Sequence, residues 1–271
     1  MANRLITLTT DFGDSDHFVG AMKGIIARTA PAARVIDITH NIPIYNVNQA
    51  AFVVGETWPC FPKGTIHVVV VDPGVGSTRR PLLVEAAGQF FVGPDNGVFS
   101  MVFATAPHKV RVLSNPKMML GKISRTFHGR DVFAPAAGHL AKGAKPPQFG
   151  KRIDDYLQLN PAEPEQIAGH AWRGSILKVD HFGNLITNFR EDKFSGVKTR
   201  PFELQVSSER IHRLALNYAE TEPGELFVIV GSSGYLEIAA NQASAAEKLG
   251  CGAGSPVDLE VFMTPALRKH G

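Results

Sequence analysis

The sequence is poor in features that mark several specialised classes of protein. Its two cysteines, Cys60 and Cys251, lie in neither a C-x-x-C pair nor another metal-ligand spacing. A disulfide framework and a structural zinc site are therefore not expected. No apolar run approaches the roughly 20 residues that a membrane-spanning helix needs. The chain also starts without a basic segment followed by an apolar one, so we expect a cytoplasmic protein.

An excess of charge of one sign is missing as well. The chain has 28 Lys and Arg against 25 Asp and Glu, a net charge of +3, and no dense basic run. Nucleic-acid binding is therefore not expected. Apolar residues are abundant, because 44% of the 271 residues are hydrophobic. That supply is enough for a stable core without disulfides or metals.

The N-terminal half alternates strand-like and helix-like patterns. Short apolar runs recur over residues 5–142, and between the first two of them Phe18, Met22, Ile25 and Ile26 follow helical spacing. Further helices are expected over residues 97–105 and from Val132 onward. This alternation predicts a mostly parallel sheet covered by helices.

The C-terminal part has a different character. Four prolines interrupt residues 144–172, which predicts a linker there. Beyond it, segments such as residues 202–206 and 257–261 alternate apolar and polar side chains, as half-buried strands do. We therefore expect an N-terminal α/β domain with a mostly parallel central sheet over residues 1–160, and a smaller C-terminal β-barrel domain over residues 161–271.

The most informative segment is V-V-V-V-D-P-G-V-G-S-T-R-R at residues 68–80. Its β-branched run predicts a strand buried on both faces, and ligands in α/β proteins gather at the carboxyl ends of such strands. Asp72 occupies that position, and a glycine-rich turn can bring Arg79 back towards it. The pair is a candidate catalytic acid and cation, and the alternative is an ion pair that only holds the loop.

A second acidic segment, T-T-D-F-G-D-S-D-H at residues 9–17, follows the first predicted strand. Asp11, Asp14 and Asp16 could bind a metal ion, or one carboxylate could accept hydrogen bonds from both hydroxyls of a ribose. The alternative is helix capping, because Asp and Ser are preferred at the start of a helix.

Two more motifs carry polar groups on predicted turns. His128, in T-F-H-G-R-D, precedes a helix N-terminus, a setting that keeps imidazole neutral and able to act as a base. An exposed loop histidine is the alternative. In V-D-H-F-G-N, Asp180 and Asn184 supply an anion and an amide beside Phe182, which are groups that a purine and a charged amine require. An ordinary hairpin turn would use the same residues.

Together these motifs resemble the S-adenosyl-L-methionine hydroxide adenosyltransferase family, which is related to the fluorinases and chlorinases. The resemblance runs through D-F-G-D-S-D, D-P-G-V-G-S-T-R, G-P-D-N-G, F-H-G-R-D, D-H-F-G-N and S-S-G-Y-L. It implies an α/β domain followed by a β-barrel domain. It also implies a homotrimer whose active site lies between the N-terminal domain of one subunit and the C-terminal domain of the next.

The resemblance also implies a reaction. The family's hydrolases hold and activate water with an Asp, an Arg and a His, which match Asp72, Arg79 and His128, whereas the halogenases lack all three. The expected reaction is attack of water on the ribose C5′ of S-adenosyl-L-methionine, giving adenosine and L-methionine, with no metal or cofactor. For substrate contacts the resemblance points to Asp11 for the ribose hydroxyls, Asn184 and Tyr218 for adenine, Asp16, Asp180 and Ser232 for the methionine end, and Phe127 and Phe182 for the apolar walls.

Three positions depart from the halogenase pattern and leave alternatives open. Ile44 replaces a Trp, Gly129 a Ser and Ser233 an Arg, so the pocket shape and the contact to the methionine carboxylate are not fixed by the resemblance. A halogenase of the same family, a metal-dependent nucleoside ribohydrolase and a non-catalytic adenosine or S-adenosyl-L-methionine sensor remain as alternatives.

Overall fold

The computed structural model describes residues 4–160 and 163–262, which form two compact units. No helix in these residues is long and apolar enough to cross a membrane.

Within residues 4–160 the strands form one seven-stranded sheet, in the spatial order β2-β1-β3-β5-β4-β6-β7. The pairings from β2 to β5 are parallel, and those from β5 to β7 are antiparallel. The strands are β1 (Leu5–Thr10), β2 (Arg34–Thr39), β3 (Ile66–Val70), β4 (Pro81–Ala86), β5 (Gln89–Pro94), β6 (His108–Val112) and β7 (Arg152–Ile153).

Helices pack on both faces of this sheet. They are α1 (Phe18–Thr29), α2 (Val47–Thr57), α3 (Ser100–Thr105) and α4 (Ala134–Ala141), and a π-helical turn, Gly129–Phe133, leads into α4. Val68 and Val70 pack in the core with α1 and α4, while Val69 and Val71 pack in the core with α2 and α3. The unbroken apolar run of β3 is explained by this two-sided burial.

The predicted α/β architecture and its central strand are confirmed, with two differences in detail. Strand β5 was not predicted; it pairs with β4 through a tight turn at Ala87 and Gly88, both at positive φ, and begins the antiparallel half of the sheet. The helix expected from Val132 starts earlier, because a π-helical turn begins at Gly129 and has His128 as its N-cap residue.

Buried polar groups within this sheet are paired. His67 on β3 makes hydrogen bonds to Thr7 Oγ1 (2.8 Å) and to Gln89 Oε1 (2.6 Å) and stacks on Phe91. Burial lowers the pKa of His67 to about 4, so its ring is neutral at pH 7. His67 therefore belongs to the core.

Within residues 163–262 the strands form a nine-stranded, largely antiparallel sheet that curls into a half-barrel. The path is β12-β11-β16-β9-β10-β15-β14-β13, and β8 pairs with β9. The strands are β8 (Glu165–Ala168), β9 (Ala171–Val179), β10 (Leu185–Arg190), β11 (Phe202–Val206), β12 (Glu209–Ile211), β13 (Leu214–Ala215), β14 (Leu226–Val230), β15 (Tyr235–Ala240) and β16 (Pro256–Val261), with one short helix, α5 (Ala245–Leu249). The predicted barrel-like domain is confirmed.

The linker predicted over residues 144–172 is wrong over most of its length. Strand β7 pairs with β6, and Leu159 N donates a hydrogen bond to Ser100 Oγ at 2.7 Å, so the chain up to that point packs on the first unit. Strand β8 pairs with β9 in the second unit.

Candidate active site

The first unit places its polar residues at the carboxyl ends of β1 and β3. Strand β1 lies between β2 and β3, so the chain leaves neighbouring strands in opposite directions and opens a crevice at their ends. Asp11 follows β1, and Asp72 follows β3. Both line a cleft of about 290 Å³, whose walls are completed by Phe12, Phe18, Ile44, Tyr45, Val70, Val75, Thr126, Phe127, His128 and Gly129.

Asp72 and Arg79 form a buried, bidentate ion pair. Arg79 Nε donates to Asp72 Oδ1 at 2.9 Å, and Arg79 Nη2 donates to Asp72 Oδ2. The side chain of Arg79 is only 9% exposed, and that of Asp72 only 4%. The guanidinium also lies over the ring of Phe133, with 5.3 Å between its carbon and the ring centroid. These contacts hold both charges in one orientation.

The turn between β3 and β4 is built to return Arg79 to the strand end. Ser77 Oγ donates to Gly74 O at 2.7 Å and accepts from Arg79 N at 3.2 Å. Gly76 has φ +75°, and a Cβ there would lie 2.1 Å from Arg125 O. Only glycine combines this backbone conformation with such a close approach, so the turn depends on Gly76.

His128 joins the ion pair from the other side of the cleft. Its Nδ1 lies 2.9 Å from Arg79 Nη2. A guanidinium only donates hydrogen bonds, so Nδ1 is the acceptor and the proton of the neutral ring is on Nε2. Burial, and then the charge of Arg79, lower the pKa of His128, while the charges of Asp72 and Asp131 act in the opposite direction. The neutral ring therefore predominates at pH 7.

Asp11 is held by a strained loop. Its Oδ2 accepts a hydrogen bond from Tyr45 N at 2.9 Å, and Tyr45 has φ +64°, a conformation unusual for a bulky residue. Burial raises the pKa of Asp11, and the bond from Tyr45 opposes that shift. Ile44 and Tyr45 are strongly exposed at the cleft. Tyr45 was not identified from the sequence, although exposed apolar residues beside Pro43 are a signal for a functional loop.

Three phenylalanines form one wall of the cleft. Phe127 packs against Phe18 and Phe12 with ring centroids 5.1 Å and 5.9 Å away. The predicted apolar wall at Phe127 thus lies in the cleft. Phe12 and Phe18 were not identified as site residues, because Phe18 follows the helical spacing of α1.

The other two acids of the N-terminal motif do not reach this cleft. Helix α1 has His17 at its N-cap, without a side-chain cap and without an acid in its first turn, so the capping alternative for Asp14 and Asp16 is wrong. Asp14 instead accepts from Asn41 Nδ2 at 3.3 Å. Asp16 is exposed and does not line the cleft. Among residues 4–160 and 163–262 no three His, Cys, Asp or Glu side chains are placed to hold a metal ion.

The second unit has its own cleft of about 490 Å³. It is lined by Phe182, Asn184, Tyr218, Ala240, Gln242 and Ala243. Three of these residues were predicted from the sequence. Gln242 was missed; it has φ +53° and follows the end of β15, a position that only the folded chain defines.

A hydrogen-bond network stands behind this second cleft. Asp180 Oδ1 accepts from Phe182 N at 2.9 Å and from Asn184 N at 2.8 Å, and Asp180 Oδ2 accepts from Asn184 Nδ2 at 2.8 Å. Asn184 Nδ2 also donates to Tyr218 Oη at 3.1 Å. Residues 180–184 therefore form a turn, as the alternative interpretation predicted. The same turn presents Asn184 to the cleft. Asp180 and the exposed Ser232 do not line it.

Comparison with known proteins places the chain in a family. Residues 6–150 match the SAM hydroxide adenosyltransferase N-terminal domain, and residues 174–258 match the C-terminal domain of the same name. The chain belongs to the SAM hydroxide adenosyltransferase family.

Individual relatives agree with this assignment. The (R)-S-adenosyl-L-methionine hydrolase of Salinispora arenicola is 39% identical over 253 residues, covering 90% of this chain and 93% of that protein. A fluorinase of Nocardia brasiliensis is 26% identical over 298 residues, covering 95% and 97% of the two chains. The crystal structure of a conserved protein from Thermotoga maritima matches with a TM-score of 0.87 and 33% identity, covering 94% and 99%.

Proposed function

We propose that this chain is an enzyme that hydrolyses S-adenosyl-L-methionine to adenosine and L-methionine. The observation that carries the proposal is the single hydrogen-bonded cluster of Asp72, Arg79 and His128, beside Asp11, in a cleft with an aromatic wall. The hydrolase relative at 39% identity supports the same reaction.

The reaction needs little from the protein beyond orientation and one proton acceptor. The water oxygen forms a bond to C5′, the C5′–S bond breaks, and its electron pair neutralises the sulfonium, so methionine leaves without a general acid. One water proton must then be removed. Holding the water in line with the C–S bond contributes several kcal/mol, and a positioned base adds about 10²- to 10⁴-fold. No metal or further cofactor is part of the proposed chemistry.

We propose different tasks for the three side chains, and their hydrogen bonds support this division. His128 uses Nδ1 to accept from Arg79, so its Nε2–H donates to the water oxygen and holds it. Asp72 accepts from Arg79 at both oxygens and still has lone pairs free, so we infer that Asp72 takes the proton. Arg79 orients both partners and stabilises the hydroxide character of the attacking oxygen.

The remaining site residues are proposed as substrate contacts. Asp11 binds the ribose diol, and Phe127 forms an apolar wall beside it. Asn184 reads the adenine edge between Tyr218 and Phe182, with Gln242 on the same cleft. Asp16, Asp180 and Ser232 are assigned to the methionine end by resemblance.

The substrate epimer and the assembly are also proposed. A sulfonium with three different substituents is a stereocentre, and the curated relative is named for the (R) form; we propose the same preference here. We further propose a homotrimer in which the first unit of one subunit and the second unit of the next share a site. The proposed location is the cytoplasm, where S-adenosyl-L-methionine is made.

A product assay tests the proposal. The purified chain is incubated with the (R) and (S) epimers, with and without fluoride or chloride, and nucleosides are identified by mass. We expect adenosine at equal rates with and without halide, and faster from the (R) epimer. A 5′-halonucleoside would identify a halogenase, and free adenine would identify a ribohydrolase.

Variants connect this activity to the cluster. Asp72→Ala, Arg79→Ala and His128→Ala should each lower kcat by at least about 10²-fold, measured on variants that circular dichroism shows to be folded at the assay temperature. Asp154→Ala, which removes an acid 86% exposed in the same unit, should leave kcat unchanged. Wild-type rates in the three cluster variants would contradict the proposed function and favour a sensor.

A further inference from the structure

In the described part of the chain, Glu237 is a buried carboxyl group without a hydrogen-bond or ion-pair partner. It lies on β15 between Leu236 and Ile238, whose side chains enter the core of the half-barrel, so Glu237 projects from the opposite face. Glu237 is only 9% exposed. Within residues 163–262 it makes no hydrogen bond or ion pair, and burial, with the nearby charge of Asp180, raises its pKa.

The surroundings of Glu237 are acidic and polar. Glu237 is paired across the strands with Ile186 of β10. Asn184, two residues before Ile186, is on the same face of the sheet by strand alternation and donates to Asp180 Oδ2 and to Tyr218 Oη. The carboxyl group of Glu237 therefore shares this face with the network behind the second cleft. Glu237 Oε1 also lies against the backbone of Gly231, where a Cβ would lie 1.7 Å from that oxygen.

The carboxyl group of Glu237 is open to a ligand. Within residues 163–262 no side-chain oxygen is both enclosed and without a hydrogen-bond partner, and the carboxyl oxygens of Glu237, which have no partner there, are therefore not enclosed. These oxygens therefore reach solvent. Asp180 already accepts three hydrogen bonds from its own turn, whereas Glu237 keeps its full capacity to accept.

Two nearby carboxyl groups that form no ion pair within residues 163–262 make a site for a positive charge. Burying them together is unfavourable unless a cation compensates for the repulsion. The proposed substrate carries one at its methionine end. We propose that Glu237, together with Asp180, binds the α-ammonium group of S-adenosyl-L-methionine, which makes Glu237 a specificity residue. This inference rests on the proposed function. The neutral amino group of adenine would not offset two carboxylates.

The first experiment compares Glu237→Gln with the wild type on the full chain. We expect KM for S-adenosyl-L-methionine to rise at least about tenfold, because a charged hydrogen bond is replaced by a neutral one, while kcat changes less than about threefold. Thermal stability should be equal to or higher than that of the wild type, because an unpaired buried acid is removed. Glu260→Gln, an exposed strand position of the same unit, is the matched control and should change neither.

Binding of two analogues separates this inference from the proposed function. Dissociation constants are measured for S-adenosyl-L-methionine, for its analogue lacking the α-amino group, and for the analogue with hypoxanthine in place of adenine. We expect Glu237→Gln to lose discrimination against the first analogue and to keep it against the second. Suppose that the wild type hydrolyses S-adenosyl-L-methionine and that Glu237→Gln discriminates against both analogues as strongly as the wild type does. That result would overturn the role of Glu237 and leave the proposed function standing. Loss of discrimination for hypoxanthine only would also overturn that role, by placing Glu237 at the purine.

Discussion

At the residue scale, one hydrogen bond determines how the catalytic cluster can handle a proton. Because Arg79 donates to Nδ1 of His128, the histidine presents an N–H group to the cleft and Asp72 remains as the acceptor. The sequence brought Asp72 and Arg79 together through the glycine-rich turn that follows a strand, and His128 was added to them by the family resemblance. The sequence did not specify which of them takes the proton, because that depends on distances between side chains from separate loops.

A substitution that copies both hydrogen bonds of His128 tests this arrangement. His128→Gln retains an oxygen to accept from Arg79 and an N–H to donate, so it should keep at least about tenfold more activity than His128→Ala. If His128 takes the proton itself, Gln should be as inactive as Ala. Steady-state rates of the two variants at pH 7.5 decide between these outcomes.

The pH dependence of the wild type gives a second test of the same residue. The active form has neutral His128, whose pKa lies below its usual 6.5 because of burial and Arg79. Activity should therefore persist as pH falls through 6.5 and decline only below it, when the ring becomes protonated and can no longer accept from Arg79. The profile of kcat/KM from pH 4.5 to 8.5 measures this. An acid limb with an apparent pKa above 6.5 would contradict the assignment.

At the scale of elements, the catalytic geometry depends on the ends of strands and the turns that follow them. Strand β3 was predictable, because four β-branched residues in a row fit a strand buried on both faces. Strand β5 and the short β7 and β8 were not predicted. Strands β7 and β8 are two and four residues long, too short to show a periodic pattern, and β5 contains Gly93 and Pro94, which are uncommon in strands. The loop carrying Tyr45 and the turn at Gln242 were missed because a positive φ at a residue other than glycine is not visible in the sequence.

Gly76 is the position where this turn can be tested. Gly76→Ala adds a Cβ at φ +75° and 2.1 Å from Arg125 O, a backbone atom that cannot move alone. The turn must shift and carry Arg79 with it, so we expect kcat to fall at least about tenfold. Gly121→Ala, where a Cβ meets nothing within 4 Å, is the control and should keep wild-type kcat. Equal kcat values for the two variants would show that the turn does not set the geometry.

At the scale of the whole molecule, the two units each provide part of the groups that the substrate needs. The first unit has the proposed water-activating cluster and the proposed ribose acid, and the second has the amide and aromatic side chains that we propose for a purine. The sequence predicted both units, because their hydrophobic periodicities differ. The trimer came from family resemblance and is a proposal.

Complementation between inactive chains tests whether neighbouring subunits share a site. Asp72→Ala and Asn184→Ala chains are each expected to be nearly inactive. After co-expression in equal amounts, random assembly of shared sites should restore about a quarter of wild-type activity, because that fraction combines two intact halves. A control mixture of Asp72→Ala with Arg79→Ala, whose changes lie in the same unit, should restore none. Failure of the first mixture, in a preparation of trimeric mass by light scattering, would place the whole site in one subunit.

The origin of the oxygen in the product tests the central claim most directly. The purified protein is incubated with S-adenosyl-L-methionine in H₂¹⁸O, and adenosine and methionine are analysed by mass spectrometry. Attack of water on C5′ predicts one ¹⁸O atom in the 5′-hydroxyl of adenosine and no ¹⁸O in methionine. Adenosine without the label, or release of adenine in place of adenosine, would contradict the account.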